Sequence, residues 1–240
     1  MNADKLLIFY SSKNSHGKKD ATGAFIPEAK AFAGHYMVPD DHIIGVDCSQ
    51  PKRQRRAQVL KGIESVEGLE GLLFFCHGWP TGIQFGFNLK NLQILAALIA
   101  DSAADEIKIG LMACLTAENR ERDNEVNDVG PATDGGFADC LRDEIVFQSR
   151  QLDSSLKKGW IDGHKTAGHT SWNPMVVRFL LEDVTEEDDK HRGGAWIVEP
   201  GSQYWRRWRA ALKNNTDNLR YEFFRKDELA IKRKLAEMSS

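Results

Sequence analysis

Four short, unbroken apolar runs constrain this chain most: "KLLIFYSS" (Lys5 to Ser12), "HIIGVDCS" (His42 to Ser49), "GLLFFCHG" (Gly71 to Gly78) and "IKIGLMACLT" (Ile107 to Thr116). A strand with one wet face alternates apolar and polar residues, whereas a strand covered on both faces reads as a continuous run. Segments with helical spacing lie between the runs. They are Pro27 to Ala33, "PKRQRRAQVLKGIESV" with Pro51 at a favoured first helical position, and "NLKNLQILAALIA" (Asn88 to Ala100). "GGFADCLRDEIVFQS" follows the fourth run, and "HKTAGHT", "MVVRFLL" and "GAWIVEP" supply later strands. This alternation predicts an α/β fold: a doubly wound, mainly parallel sheet with helices on both faces.

The chain's 240 residues fit one such domain with a small appendage. Residues 1–200 are expected to form the α/β domain and residues 201–240 a helical extension packed on it. In the extension, "SQYWRRWRAAL" puts Trp205, Trp208 and Leu212 at helical spacing, with Arg206, Arg207 and Arg209 mostly elsewhere. Tryptophans among arginines also occur on nucleic-acid and membrane surfaces. A net charge of −3 supplies no global field for nucleic acid, so the tryptophans are expected to dock on the body and the arginines to be solvated. No stretch reaches the roughly 18 apolar residues of a membrane span, and the N-terminal apolar run is too short for a secretory signal. The expected location is cytoplasmic, with no nucleic-acid or membrane partner. There the four cysteines, Cys48, Cys76, Cys114 and Cys140, are expected to be reduced, and their wide spacing offers no CxxC pair.

Ligands of doubly wound sheets bind beyond the carboxyl ends of the strands. Two reactive side chains fall at such ends: His77 after the third run and Cys114 in the fourth. A thiol is a weak nucleophile until ionised, and an imidazole beside it can take that proton and later give it to a leaving amine. The 37 residues from His77 to Cys114 are enough for one crossover helix and no more. Gly78 has no side chain to obstruct a substrate. Its N–H, with that of Cys114, is a candidate oxyanion hole.

The pairing of strand-His-Gly with strand-Ala-Cys resembles the caspase-like cysteine peptidases, the group of caspases, metacaspases, clostripain, gingipain, legumain and separase. As an order of strands and helices the resemblance covers roughly Lys5 to Val198; at motif level it is confined to His77-Gly78 and Ala113-Cys114. It implies a caspase-like three-layer sandwich, a catalytic dyad of His77 and Cys114, and oxyanion donors on Gly78 and the Cys114 backbone. A peptide or protein substrate and no cofactor are implied. "MACLT" departs from the caspase signature Q-A-C-[RQG]-G, and the interval is shorter than the roughly 50 residues of caspases, so a distant bacterial-type member fits better. The resemblance leaves the residue preference open. Relatives that cleave after Arg or Lys use an acidic pocket and caspases a basic one, while the segment Ser11 to Ala24 carries both signs. The polar stretch Ala117 to Gly136 matches by position a frequent activation site of the family.

"DGHKTAGHTSWNP" (Asp162 to Pro174) holds two histidines in H-x4-H spacing. Zinc sites need three or four ligands with supporting partners, and no further cluster accompanies these, so no metal is expected. The segment reads instead as a loop lining the substrate cleft, with Asp162 and His169 as candidate substrate-binding residues and His169 as an alternative base. An α/β-hydrolase would need a G-x-S-x-G elbow or its Cys variant, and "MACLT" lacks both glycines. A dinucleotide fold would need G-x-G-x-x-G after the first strand, where "SSKNSHGKKDATG" does not supply it. The expected activity is hydrolysis of peptide bonds through an acyl-enzyme on Cys114. The alternative is a catalytically inactive caspase-like scaffold acting in protein–protein interaction.

Overall fold

A computed structural model describes residues 2–14, 23–118, 135–167 and 176–184. Six strands form one sheet: β1 (Leu6–Lys13), β2 (Ile43–Asp47), β3 (Leu69–Phe75), β6 (Ala103–Met112), β7 (Lys158–His164) and β8 (Val176–Leu180). A two-stranded hairpin, β4 (Gly78–Trp79) and β5 (Gly82–Ile83), follows β3 directly. The sheet order is β2-β1-β3-β6-β7-β8. Every pairing is parallel except β7 with β8. The fold is α/β and doubly wound, as the alternating runs predict.

The unbroken apolar character of β3 is explained by two cores, one on each face. Leu72, Phe74 and Cys76 join the core under α2 (Lys52–Glu64), α3 (Leu92–Ser102) and α4 (Gly136–Gln151). Leu73 and Phe75 join the core under α1 (Phe25–Tyr36). Fully burying a side chain of this kind is worth about 1.5–3 kcal/mol, so a polar residue inside the run would be expensive. Because β2 lies on one side of β1 and β3 on the other, the order of winding reverses between β1 and β3. There the chain after β1 leaves toward α1 on one face, and the chain after β3 leaves toward α3 on the other. A crevice forms at such a switch point.

Several boundaries differ from the sequence pattern. The fourth run pairs over Ala103–Met112, so it starts earlier than Ile107 and stops before Cys114. "HKTAGHT" is not itself a strand: β7 runs through "KGWIDGH" and ends at His164, where that motif begins. Pro51 is the cap before α2 and not its first helical residue. The third helix starts at Leu92, because Asn88 is held by a bridge to Gly82 in the hairpin region. No helix among the described residues is long and apolar enough to cross a membrane. "GAWIVEP", the expected boundary at residue 200 and the extension 201–240 with Trp205, Trp208 and Leu212 lie outside the described residues.

Candidate active site

Parallel pairing brings His77 and Cys114 to the same place. The β3–β6 register runs from Gly71 opposite Lys108 to Phe75 opposite Met112, an offset of 37 positions. His77 and Cys114 keep that offset two residues beyond the last paired residues. Neighbouring strands lie about 4.8 Å apart, so two residues in register at adjacent strand ends are within reach of one another. Leu73, Phe75 and Met112 all point into the α1-side core, and His77 continues the alternation of β3. For His77 the ring contact agrees: Phe25 of α1 meets it edge to face, with centroids 5.0 Å apart.

The backbone keeps the two ends together past the strands. A Cβ built on Gly78 would lie 2.7 Å from both the Cys114 carbonyl oxygen and the Ala113 Cβ, and 2.9 Å from the Thr116 Cγ2. Any side chain at 78 would therefore push the two turns apart. The Gln84 N–H donates to the His77 carbonyl at 2.9 Å, so the pair that comes next, Gly78 with Ile83, is of the non-hydrogen-bonded type. In agreement, the Ile83 N–H turns outward to the Phe87 carbonyl. The Gly78 N–H is thus directed away from β5.

The turn carrying Cys114 is braced from three sides. Leu115 takes a left-handed conformation, φ +60°, which costs a branched L-residue about 1–2 kcal/mol and is held by its surroundings. Its N–H donates to the Thr166 carbonyl, and that of Ala117 to the His164 carbonyl, both at the end of β7. The Thr116 hydroxyl donates to the Ala113 carbonyl and accepts from the His164 N–H. The Thr116 carbonyl accepts from the Ala138 N–H in the first turn of α4. Gly136, at φ +67°, opens that helix where a Cβ would lie 2.8 Å from the Thr116 carbonyl oxygen. Sequence reasoning did not single out Thr116 or His164 as supports; only their place after a strand end could have pointed to them.

Of the four thiols, Cys48, Cys76 and Cys140 are buried, and Cys114 alone is partly exposed. Burial pushes the Cys76 thiol well above its ordinary value, with the nearby Cys48 adding to it. Burial likewise raises Cys48, against the lowering effect of a hydrogen bond with Ser11. Neither is equipped to be a thiolate at neutral pH.

Asp162 lies inside β7, opposite Arg178 of β8, and the two side chains form a bidentate pair at 2.8 and 2.7 Å. The Asp162 side chain is 1% exposed and that of Arg178 8%. A cationic substrate group would have to compete with Arg178 for this carboxylate. His169 lies outside the described residues. A second group of buried charges is also paired: on α4, Arg142 is held by Asp139, by Asp143 at 2.6 Å and by the Leu180 carbonyl. Among the described residues, no group of three or more His, Cys, Asp or Glu side chains could hold a metal ion. Compared with protein-family models, with curated proteins and with solved structures, the chain matches none of them.

Proposed function

We propose that the protein is a cysteine peptidase and a distant relative of the caspase-like group. The observation that carries this reading is that His77–Cys114 repeats the β3–β6 offset at the carboxyl ends of adjacent strands, and that Cys114 is the one cysteine not buried. The two residues stand at the carboxyl edge of the sheet, next to its switch point. The mainly parallel sheet with helices on both faces is the architecture the resemblance implies.

In this mechanism His77 takes the proton of Cys114 as the sulphur attacks the carbonyl carbon of a peptide bond. The carbonyl oxygen becomes an oxyanion, and the N–H groups of Gly78 and Cys114 receive it. Losing one such donor typically costs about 10²–10³ in rate. The intermediate collapses with cleavage of the C–N bond, and the imidazolium gives its proton to the departing amine. Water then attacks the thioester while His77 takes a proton from it; the C–S bond breaks and Cys114 recovers its proton.

The decisive experiment is digestion of a complex peptide library by the purified protein, with Cys114→Ala as control. Sites cut only by the wild type establish the peptidase and report its residue preference. Absence of any Cys114-dependent cleavage, even after limited proteolysis between Ala117 and Gly136, transfers the reading to a protein-interaction scaffold. Thiol labelling alone does not decide, because Cys114 is the most accessible cysteine in either case. The informative quantity is how far His77→Ala slows it.

A further inference from the structure

Gln84 is more than nine-tenths buried, at 5% exposure, in a chain stretch that has already left the sheet. A buried amide is costly unless its hydrogen-bonding groups find partners, and two of the groups of Gln84 converge on His77. Its backbone N–H donates to the His77 carbonyl at 2.9 Å, and its side-chain Oε1 accepts from the His77 N–H at 3.2 Å. The amide Nε2 donates to Asn14 Oδ1 at 3.3 Å, in the residue directly after β1. Its carbonyl accepts from the Arg55 guanidinium of α2. One residue thus spans the crevice between the ends of β1 and β3 and grips the peptide groups on both sides of the His77 Cα.

We infer that Gln84 is a positioning residue for the dyad: it holds the His77 backbone, while Phe25 holds the ring, so that the imidazole stays directed at Cys114. This inference rests on the dyad reading. Past the β3–β6 ladder the His77 carbonyl is held by the hairpin bond from the Gln84 N–H, and the His77 N–H is held by the Gln84 side chain. A misplacement of about 1 Å at a reacting group can cost on the order of 10²-fold in rate. The link to Asn14 makes the His77 backbone depend on the start of the chain segment that leaves β1.

The test measures iodoacetamide alkylation of Cys114 with and without His77→Ala, in the wild type and in Gln84→Met, Gln84→Glu and Asn14→Ala, with the melting temperature of each. Gln84→Met keeps the volume and removes both side-chain hydrogen bonds. It is expected to shrink the acceleration due to His77 by about 10-fold or more. Gln84→Glu keeps the acceptor for the His77 N–H and should retain most of the acceleration, a rescue that mere core filling does not predict. Asn14→Ala should reduce the acceleration by about 2- to 10-fold. If Gln84→Met is folded and the acceleration is intact, the inference about Gln84 is wrong and the dyad stands. If His77→Ala has no effect in the wild type, the dyad reading fails and the inference with it. Should Gln84→Met not fold, Asn14→Ala decides, and an unchanged acceleration there overturns the inference.

Discussion

Two pairs of residues on neighbouring strands of this sheet differ in where they stand along those strands. Asp162 and Arg178 face each other across β7 and β8, and His77 and Cys114 stand in register at the ends of β3 and β6. The first pair sits within the ladder, where both charges are buried and each satisfies the other. Taking either charge out of water is costly, and the bidentate pairing offsets that cost only while both partners are present. The second pair lies two residues past the last paired position, where water and a substrate can arrive. Under the proposed function, position along the strand separates the pair that is structural from the pair that does chemistry.

The contrast can be broken at either pair. His77→Ala is expected to lower Cys114-dependent cleavage by about 10²–10⁴-fold, with the melting temperature nearly unchanged; steady-state kinetics and thermal unfolding on one preparation check both halves. Asp162→Ala should do the reverse. It leaves Arg178 buried without its carboxylate partner and is expected to cost about 3–5 kcal/mol in urea unfolding, while the accelerating effect of His77 on Cys114 alkylation persists. Gly78→Ala tests whether the two turns must touch. Its Cβ would meet the Cys114 carbonyl and Ala113, so it is expected to cost about 1–3 kcal/mol in stability and to reduce cleavage as well.

The smallest effect belongs to a rim pair that is neither buried nor reactive. Lys13 and Asp47 lie 3.3 Å apart. The Ser49 hydroxyl and N–H, helped by Lys13, hold the Asp47 carboxyl at about 2, below its ordinary 3.8. A carboxyl lowered on folding stabilises the folded state above its ordinary value and loses that contribution as pH falls through the lowered one. Asp47→Asn should therefore be slightly less stable than wild type at neutral pH. The difference in urea midpoint is expected to fade between pH 3.8 and 2. A difference independent of pH would assign the loss to the Ser49 hydrogen bonds as such and not to the charge.

The order of strands and helices was legible because each core strand is apolar on both sides, and the residues at the strand ends followed from it. The ends themselves were less legible. Nothing in "IKIGLMACLT" marks Met112 as the last paired residue, because Ala113 and Cys114 are small and apolar enough to continue the run. The hairpin after His77 was invisible: "GWPTGI" has too few residues per strand for any alternation to register. Asp162 could be placed near the site but not paired, because its partner Arg178 lies 16 residues away on a strand of opposite direction. The role of Gln84 depends on three chain segments that only folding brings together.

Because the offset of β3 and β6 is set by their ladder, the number of residues in the connection between them does not by itself set the register of His77 with Cys114. A residue added in the exposed turn at Lys90, ahead of the buried helix α3, would change the separation in sequence and leave the β3–β6 register as it is. A single residue inserted near the end of β6 would do the opposite, taking Cys114 out of the offset that it shares with His77. Divergent copies of this chain could therefore drift widely in the count between their histidine and cysteine, and any search for them should measure each residue from the end of its own strand.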